Sequence, residues 1–236
     1  MHFALTSQLV ERLRRMAIPS IEVGPIVPPV GGAAPDDIKL LLFVENDSLI
    51  SKELADFASS FAASHPNVKV ETIDWEGGKN ERLRSLRIEY VPCIVLAKGE
   101  FARIRYFGVP AGYEIGPFSD AVSELSHSSA KLAASSKSAL VNVRRRANIK
   151  VFVLSTCTFC PIVARHAYRV AIESKMVTTE IIDSSIFTEL SQKHLVQGVP
   201  KVLLNDITDI TGAMNESVFI EKLREADHAL IDSMFG

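Results

Sequence analysis

The strongest constraint on the fold is an order of strands and helices that the sequence repeats. From Ile38, and again from Ile149, an apolar strand is followed by a helix, a second strand and a shorter helix. A Val-Pro step then opens a third strand, at Val91-Pro92 and at Val199-Pro200, which turns back into a fourth strand before a closing helix. The order predicts an α/β protein of two tandem units, each a mixed central sheet flanked by helices on both faces.

The repeat also sets the expected boundaries. Residues 1–37 read as a short N-terminal helix and a Pro/Gly-rich connector, residues 38–127 as the first unit, and residues 128–236 as the second. A linking helix is predicted at 129–145, with Arg144, Arg145 and Arg146 as its basic C-terminal turn. The other predicted elements are strands at 38–44, 68–73, 93–97, 101–107, 149–154, 177–183 and 201–204, and helices at 48–63, 79–87, 114–125, from 157, at 186–196 and at 216–234.

Two cysteines lie where the first strand of the second unit passes into a helix. The N–H groups and dipole at a helix start favour a thiolate, which predicts Cys157 as a nucleophile. Cys160 lies about one turn further on and could attack a mixed disulfide formed at Cys157. The pair predicts a dithiol redox site, in which Thr158 and Phe159 tune the reduction potential and contact substrate.

Other roles for the cysteine pair stay open from the residues alone. A structural zinc site needs about four ligands. The chain offers one C-x-x-C, no second cysteine pair and scattered histidines, of which His166 is on the same predicted helix and His194 is far along the chain. A purely structural disulfide across two residues would constrain the unfolded chain little. Two buried, inert cysteines are the third alternative. Because the sequence does not supply four zinc ligands, we assign no metal site.

The Val-Pro step near the cysteine motif predicts part of the substrate site. Its recurrence in both units argues for a required backbone shape, such as a cis X–Pro bond. Beside the cysteines, such a loop would leave main-chain groups of Val199 free to pair with a substrate backbone, as in strand addition. Val199 and Pro200 are accordingly expected to bind substrate.

Charge and composition exclude several classes of function. The 26 basic and 28 acidic residues give a net charge of −2, which indicates no nucleic-acid partner. Three cysteines do not make a secreted disulfide framework, and no apolar run approaches the length of a membrane span or a signal-peptide core. We expect a soluble, cytoplasmic protein without a membrane partner. No G-x-G-x-x-G or P-loop precedes a helix, so no bound cofactor is expected.

These features resemble the protein disulfide oxidoreductases of archaea and other thermophiles, in which two thioredoxin-fold, glutaredoxin-like units are fused. A more distant similarity is to the paired thioredoxin-fold domain of bacterial alkyl hydroperoxide reductase flavoproteins. The resemblance implies thiol–disulfide exchange on protein substrates, with Cys157 attacking, Cys160 resolving and Pro200 shaping the cleft. A thioredoxin-reductase-like flavoprotein would regenerate the dithiol. The matching segments are residues 155–161, 164–168, 171–173 and 199–200, and residues 105–114 in the first unit.

The first unit departs from that family pattern. Asn46 and Leu49 occupy the positions of the two cysteines, so that residues 46–48 read as an ordinary helix cap. A mechanism that needs two dithiols, isomerisation included, is therefore not expected. Cys93 reads as a buried strand cysteine. No acid occurs at 151–154, just before the cysteine motif, and the proton transfers have no assigned residue.

Two other classes of function remain compatible with the sequence. The cysteine-free first unit could make the protein a binding or adaptor module that recruits a client or a reductase. Alternatively, Cys157 from two chains could hold one iron–sulfur cluster, as in some glutaredoxin-like carriers.

Overall fold

The computed structural model describes the backbone of residues 36–235 and the side chains as far as Asp227. The expected N-terminal helix and most of the Pro/Gly-rich connector lie outside the described residues. The strands are β1 Ile38–Val44, β2 Val68–Asp74, β3 Cys93–Lys98, β4 Phe101–Phe107, β5 Ala147–Val153, β6 Val177–Asp183, β7 Lys201–Leu204 and β8 Thr208–Thr211. The α-helices are α1 Leu49–Ala63, α2 Glu81–Leu86, α3 Ile115–Ser126, α4 Ala134–Leu140, α5 Cys160–Glu173, α6 Thr188–Lys193 and α7 Glu216–Phe235, and short 3-10 turns lie at Glu76–Gly78 and Gly112–Glu114.

The strands form one mixed sheet of eight, in the order β2-β1-β3-β4-β6-β5-β7-β8. In each half, the first strand pairs parallel with the second and antiparallel with the third. The predicted α/β class and mixed sheets are thus confirmed. The sequence did not predict that β4 and β6 pair in parallel and make the two sheets continuous.

Helices cover both faces of the sheet because its strands are apolar on both sides. In β1, Leu40 and Leu42 belong to one buried cluster, while Leu41 and Phe43 belong to the other. The first cluster packs against α1, α3, α5 and α7, and the second packs against the short helices α2 and α6. The long helix α5, which carries the second cysteine, therefore rests on the more heavily covered face.

Polar contacts also join the two halves. Arg105 on β4 lies opposite Glu180 on β6, and its Nη1 donates to the Glu180 carboxylate at 2.6 Å in a buried pair. On the helical layer, Arg169 of α5 binds the buried carboxylate of Glu124 on α3 at 2.9 Å. The described residues accordingly belong to one compact unit.

The two Val-Pro steps adopt the same local structure. Both X–Pro bonds are cis, which confirms the backbone shape that their recurrence predicts. The Pro92 carbonyl accepts a hydrogen bond from the Gly108 N–H at 2.9 Å, and the Pro200 carbonyl accepts one from the Gly212 N–H at 2.8 Å. In both halves, therefore, the same main-chain hydrogen bond connects the proline to the residue that follows the hairpin.

Several helices are shorter than the sequence predicts. Helix α5 begins at Cys160 rather than at Cys157. A helix that included Cys157 would place its carbonyl against the ring of Pro161, four residues on, whereas Pro161 fits the first turn of the observed helix. Helix α6 spans Thr188–Lys193 rather than 186–196.

The predicted linking helix at 129–145 is also wrong in extent, since α4 covers only Ala134–Leu140. The N–H groups of Arg144 and Arg145 donate to the carboxylate of Asp227 on α7, at 3.5 and 3.2 Å, rather than to a helical ladder. Arg144 to Arg146 therefore lie in the segment that leads into β5 and do not form a C-terminal helical turn.

Candidate redox site

The two cysteines lie in the turn that connects β5 to α5. The N–H of Cys157 donates to the Leu154 carbonyl at 3.0 Å, which closes the turn after the strand. Cys157 and Cys160 form a disulfide with their Cα atoms 5.5 Å apart. The expected redox pair is thus assembled at the start of a helix.

The two sulfurs differ in accessibility. Cys157 is half-buried, whereas Cys160 has no exposed surface. The backbone N–H of Cys160 donates to the Cys157 sulfur at 3.1 Å. A helix-start amide directed at that sulfur would stabilise negative charge on it after reduction, so the geometry favours Cys157 as the accessible thiolate. Thr158 and Phe159, between the cysteines, are both exposed.

The second Val-Pro step lies beside the accessible sulfur. The Val199 carbonyl oxygen is 3.8 Å from the Cys157 sulfur. The Pro200 carbonyl is engaged by Gly212, and Pro200 itself is buried, so Val199 is the residue of this step that faces the disulfide. The structure therefore brings Cys157, Cys160 and Val199 together, with Thr158 and Phe159 on the outer side.

The first half of the chain reaches this turn through the 3-10 turn Gly112–Glu114. The Tyr113 N–H donates to the Ser155 carbonyl at 2.9 Å. Gly112 has a φ of +53°, and a Cβ on it would lie 2.3 Å from the Ser155 oxygen, so only glycine allows this approach. Tyr113 is 56% exposed and Phe159 60% exposed, which gives the site apolar surface contributed by both halves.

The residue after Tyr113 is a buried acid that the sequence reasoning missed. Glu114 has no exposed surface, and neither carboxylate oxygen has a hydrogen-bond partner among the described residues. Burial raises the pKa of Glu114 to about 7; Arg165 opposes this rise in pKa and Asp183 adds to it. A carboxyl group with this pKa can bind or release a proton near neutral pH.

Two tyrosines share the interior around Glu114. Tyr106 on β4 and Tyr168 on α5 are buried, and neither hydroxyl has a partner within residues 36–227. Burial, together with the nearby Glu114 carboxylate, raises the pKa of both phenols well above the usual value. Tyr168 lies two helical turns, about 12 Å, after Cys160 along α5.

No periodicity could have identified Glu114, because it lies in a turn. The available signal was its place at the end of the segment 105–114, where an acid follows Gly112 and Tyr113 directly. The strand before the cysteines carries no acid near the motif, and Glu114 lies in the other half of the chain.

The first half contains no redox pair. The Asn46 side chain donates to the Asp74 carboxylate, and the Ser48 hydroxyl caps α1 by accepting from the Ser51 N–H at 3.3 Å, as expected for a helix cap. Cys93 is fully buried and free, which confirms the strand-cysteine interpretation. Burial raises the pKa of the Cys93 thiol, so it stays protonated.

Neither a metal site nor a membrane span is found in the described part of the chain. Within it, no group of three or more His, Cys, Asp and Glu side chains converges as metal ligands would. Its helices include none that is both long and apolar enough to cross a membrane.

Comparison with known families bears on the half that holds the cysteines. Residues 147–225 match the family model of the thioredoxin domain. This part of the chain is therefore similar to a thioredoxin domain. The disulfide and Val199 both lie within the matched residues. No curated protein sequence compared with the chain is significantly similar to it.

Solved structures extend the similarity across both halves. The NTD_N/C domain of alkylhydroperoxide reductase AhpF from Enterococcus faecalis is 29% identical, with a TM-score of 0.75 over 80% of this chain and 91% of that chain. Sso1120 from Sulfolobus solfataricus is 26% identical, with a TM-score of 0.56 over 75% of this chain and 91% of that chain. A protein disulfide oxidoreductase from Aeropyrum pernix is 19% identical, with a TM-score of 0.75 over 83% of this chain and 88% of that chain, and supports the fold alone. The thioredoxin-like residues 147–225 therefore lie within a two-part architecture that this chain shares with these structures.

Proposed function

We propose that the protein is a thiol–disulfide oxidoreductase that exchanges disulfides of protein substrates through Cys157 and Cys160. The observation that carries the proposal is the disulfide at the start of α5, with one sulfur accessible beside Val199 and the other fully buried. An accessible thiolate and a sheltered second thiol are the two groups that a two-step exchange requires. The two units proposed for this role are residues 38–127 and 128–236.

In the reducing direction, the Cys157 thiolate attacks one sulfur of a substrate disulfide. A Cys157–substrate disulfide forms, and the other substrate sulfur leaves as a thiolate. The Cys160 thiolate then attacks the Cys157 sulfur, releases the second substrate thiolate and closes the Cys157–Cys160 disulfide. Two electrons pass from the cysteine pair to the substrate, and two protons make up the substrate thiols. The reverse sequence inserts a disulfide, and the reduction potential against that of the compartment sets the direction.

The second step needs a base because Cys160 is buried. A thiol without solvent contact keeps its proton unless a nearby group accepts it. Glu114, whose pKa burial raises to about 7, is the buried acid of the described cluster that can accept this proton in its ionised form. We assign Glu114 as the proton acceptor for Cys160 and as the donor in the reverse direction.

Substrate proteins would bind at the exposed side of the disulfide. The Val199 main chain would pair with the substrate backbone, and Pro200 would hold that loop in place. Thr158, Phe159 and Tyr113 would contact side chains that flank the substrate disulfide. A thioredoxin-reductase-like flavoprotein would reduce the Cys157–Cys160 disulfide after each turnover; the Enterococcus faecalis relative, named as an alkylhydroperoxide reductase subunit, supports a redox partner of this kind.

Insulin reduction with dithiothreitol tests the proposed activity. We expect the wild type and Cys93→Ala to accelerate the reaction, because Cys93 is buried away from the site. Cys157→Ala should be inactive, and Cys160→Ala should accumulate a mixed disulfide with insulin that mass spectrometry detects. Equal rates for the wild type and both active-site variants would refute the proposal, and full cellular function of Cys157→Ser would favour an adaptor role instead.

A further inference from the structure

A cavity of about 490 Å³ lies at the end of the sheet opposite the disulfide. Its wall includes Ala147 and Asn148, which begin β5, whereas the cysteine turn follows the other end of this strand. Seven strand residues at about 3.3 Å each separate the two places by about 20 Å. The start of β4, the start of β6, the end of α2 and the turn before β8 complete the wall. The cavity is therefore distinct from the redox site.

Arginine side chains dominate the lining of this cavity. Arg87, Arg103, Arg105 and Arg146 line it, and Glu100 is the one acidic residue in the lining. Even with Glu180, the ion-pair partner of Arg105, the local charge is positive, although the whole chain carries −2. Like charges repel at this density, and a bound anion would relieve the repulsion.

Two of these guanidinium groups have donors that no protein acceptor satisfies. Arg105 is 8% exposed; its Nη1 binds Glu180, while its Nε is buried with no acceptor in the described structure. Arg103 donates from Nη2 to the Ala171 carbonyl at 3.2 Å, and its buried Nε likewise has no acceptor. Because neither Nε is accessible from the cavity, a ligand there would be reached by the terminal nitrogens that these contacts leave over, Nη1 of Arg103 and Nη2 of Arg105.

The remaining two arginines of the lining are exposed to solvent. Arg87 ends α2 and Arg146 precedes β5. Ser85, Thr178 and Asn205 add hydroxyl and amide groups to the lining. Exposed and partly buried guanidinium groups around one cavity are suited to attract and hold one multiply charged anion.

We propose that this cavity binds a small molecule that carries phosphate groups. Guanidinium groups donate in pairs to phosphate oxygens, and four of them match a ligand with more than one negative charge better than a single carboxylate. The volume is in the range of small-ligand sites. The four arginines come from three separated segments of the chain, which is why no glycine-rich phosphate motif marks the site in the sequence.

Isothermal titration of the full-length protein with inorganic pyrophosphate at low ionic strength tests the proposal. We expect Arg146→Gln and Arg87→Gln each to weaken binding about tenfold, the loss of one charge-assisted contact. Arg144→Gln and Arg84→Gln are matched controls, because both arginines are exposed and close in sequence but do not line the cavity. These controls should change the affinity less than about twofold.

Three further binding measurements distinguish a specific site from a generally basic surface. Glu100→Gln should bind pyrophosphate more tightly, since it removes the one acid in the lining. Cys157→Ala should bind it unchanged, whatever the outcome of the activity assay. A nucleoside diphosphate that binds at least as tightly as pyrophosphate would show that the cavity accepts organic phosphates.

The outcome that would overturn the proposal is equally specific. Thermal unfolding without ligand should first show that the arginine variants are as stable as the wild type. The proposal would be refuted if millimolar pyrophosphate gave no heat of binding. It would also be refuted if the cavity variants and their controls weakened the affinity for pyrophosphate equally. Sulfate binding as tight as pyrophosphate binding would also count against a phosphate site.

Discussion

Replacement of Glu114 by glutamine should change how the stability of the protein depends on pH. The pKa of Glu114 is raised from 4.5 to about 7 by burial, so the folded state holds this proton more tightly than the unfolded state. Between these two values the folded protein binds more protons than the unfolded chain, and its free energy of unfolding therefore falls as the pH rises. Below 4.5 both states are protonated and the penalty vanishes; above about 7 it is complete.

The size of the effect follows from the shift. At about 1.4 kcal/mol per pKa unit, the rise from 4.5 to about 7 is worth about 3 kcal/mol. Glu114→Gln removes this contribution. The cost of burying the amide does not change with pH and cancels when two pH values are compared. We therefore expect the stability of the variant relative to the wild type to increase by up to about 3 kcal/mol from pH 4.5 to pH 8.

Urea unfolding of both proteins at a series of pH values measures this difference. The exposed Glu53→Gln serves as the control for loss of a carboxylate at the surface. A relative stability of Glu114→Gln that stays constant within about 0.5 kcal/mol across this range would refute the reasoning. It would mean that the carboxyl group is solvated or paired, and that it is unsuited to hold a proton at neutral pH.

The same variant should slow the step that closes the Cys157–Cys160 disulfide. General acid–base catalysis typically contributes a factor of about 100 or more, and we expect a loss of that order in a single-turnover assay with a substrate disulfide. The attack by Cys157 should be less affected, because that sulfur is accessible to solvent. The rate of closure in the wild type should rise with pH around 7, and Glu114→Gln should lose this dependence.

Three further results are expected. Arg105→Met should lower the free energy of unfolding by about 3–5 kcal/mol in urea titrations by leaving Glu180 buried and unpaired, and a double replacement with Glu180→Leu should recover most of it. Iodoacetamide should label Cys93 in Cys157→Ala/Cys160→Ala only after denaturant is added; labelling of the folded protein would contradict its burial. Gly112→Ala should reduce insulin reduction several-fold, because its Cβ would displace the Ser155 carbonyl in the cysteine turn, whereas Gly99→Ala, which meets no neighbour, should leave the activity unchanged.

The sequence predicted those parts of the fold that local pattern determines. The strands Ile38–Val44, Phe101–Phe107 and Val177–Asp183 have the predicted bounds, since each is a run of strand-forming residues set off by turns. The length of α4 was not predictable in this way. Its C-terminal end depends on amides that bind Asp227, more than 80 residues away, and a contact at that separation leaves no local pattern.

The cysteine pair could be identified from the sequence, but the environment that adjusts its chemistry could not. The C-x-x-C after an apolar strand is a local pattern, and so is the Val-Pro step that follows it. Glu114 and Tyr113 come from the half of the chain without a redox pair, and they reach the site only because β4 pairs with β6. Arg105 and Glu180 carry opposite charges and face each other across the β4–β6 pairing. Because 75 residues separate them in the sequence, no local pattern reveals this contact.

The first half is therefore not dispensable, although it holds no cysteine pair. It contributes Gly112 and Tyr113 to the cysteine turn and the buried Glu114 to the interior beneath it. Without it, the β6 edge that now pairs with β4 would be open to other strands, and Glu180 would lose its buried partner. One half holds the disulfide, and the other supplies the glycine turn against Ser155, the buried Glu114 and the strand that carries Arg105.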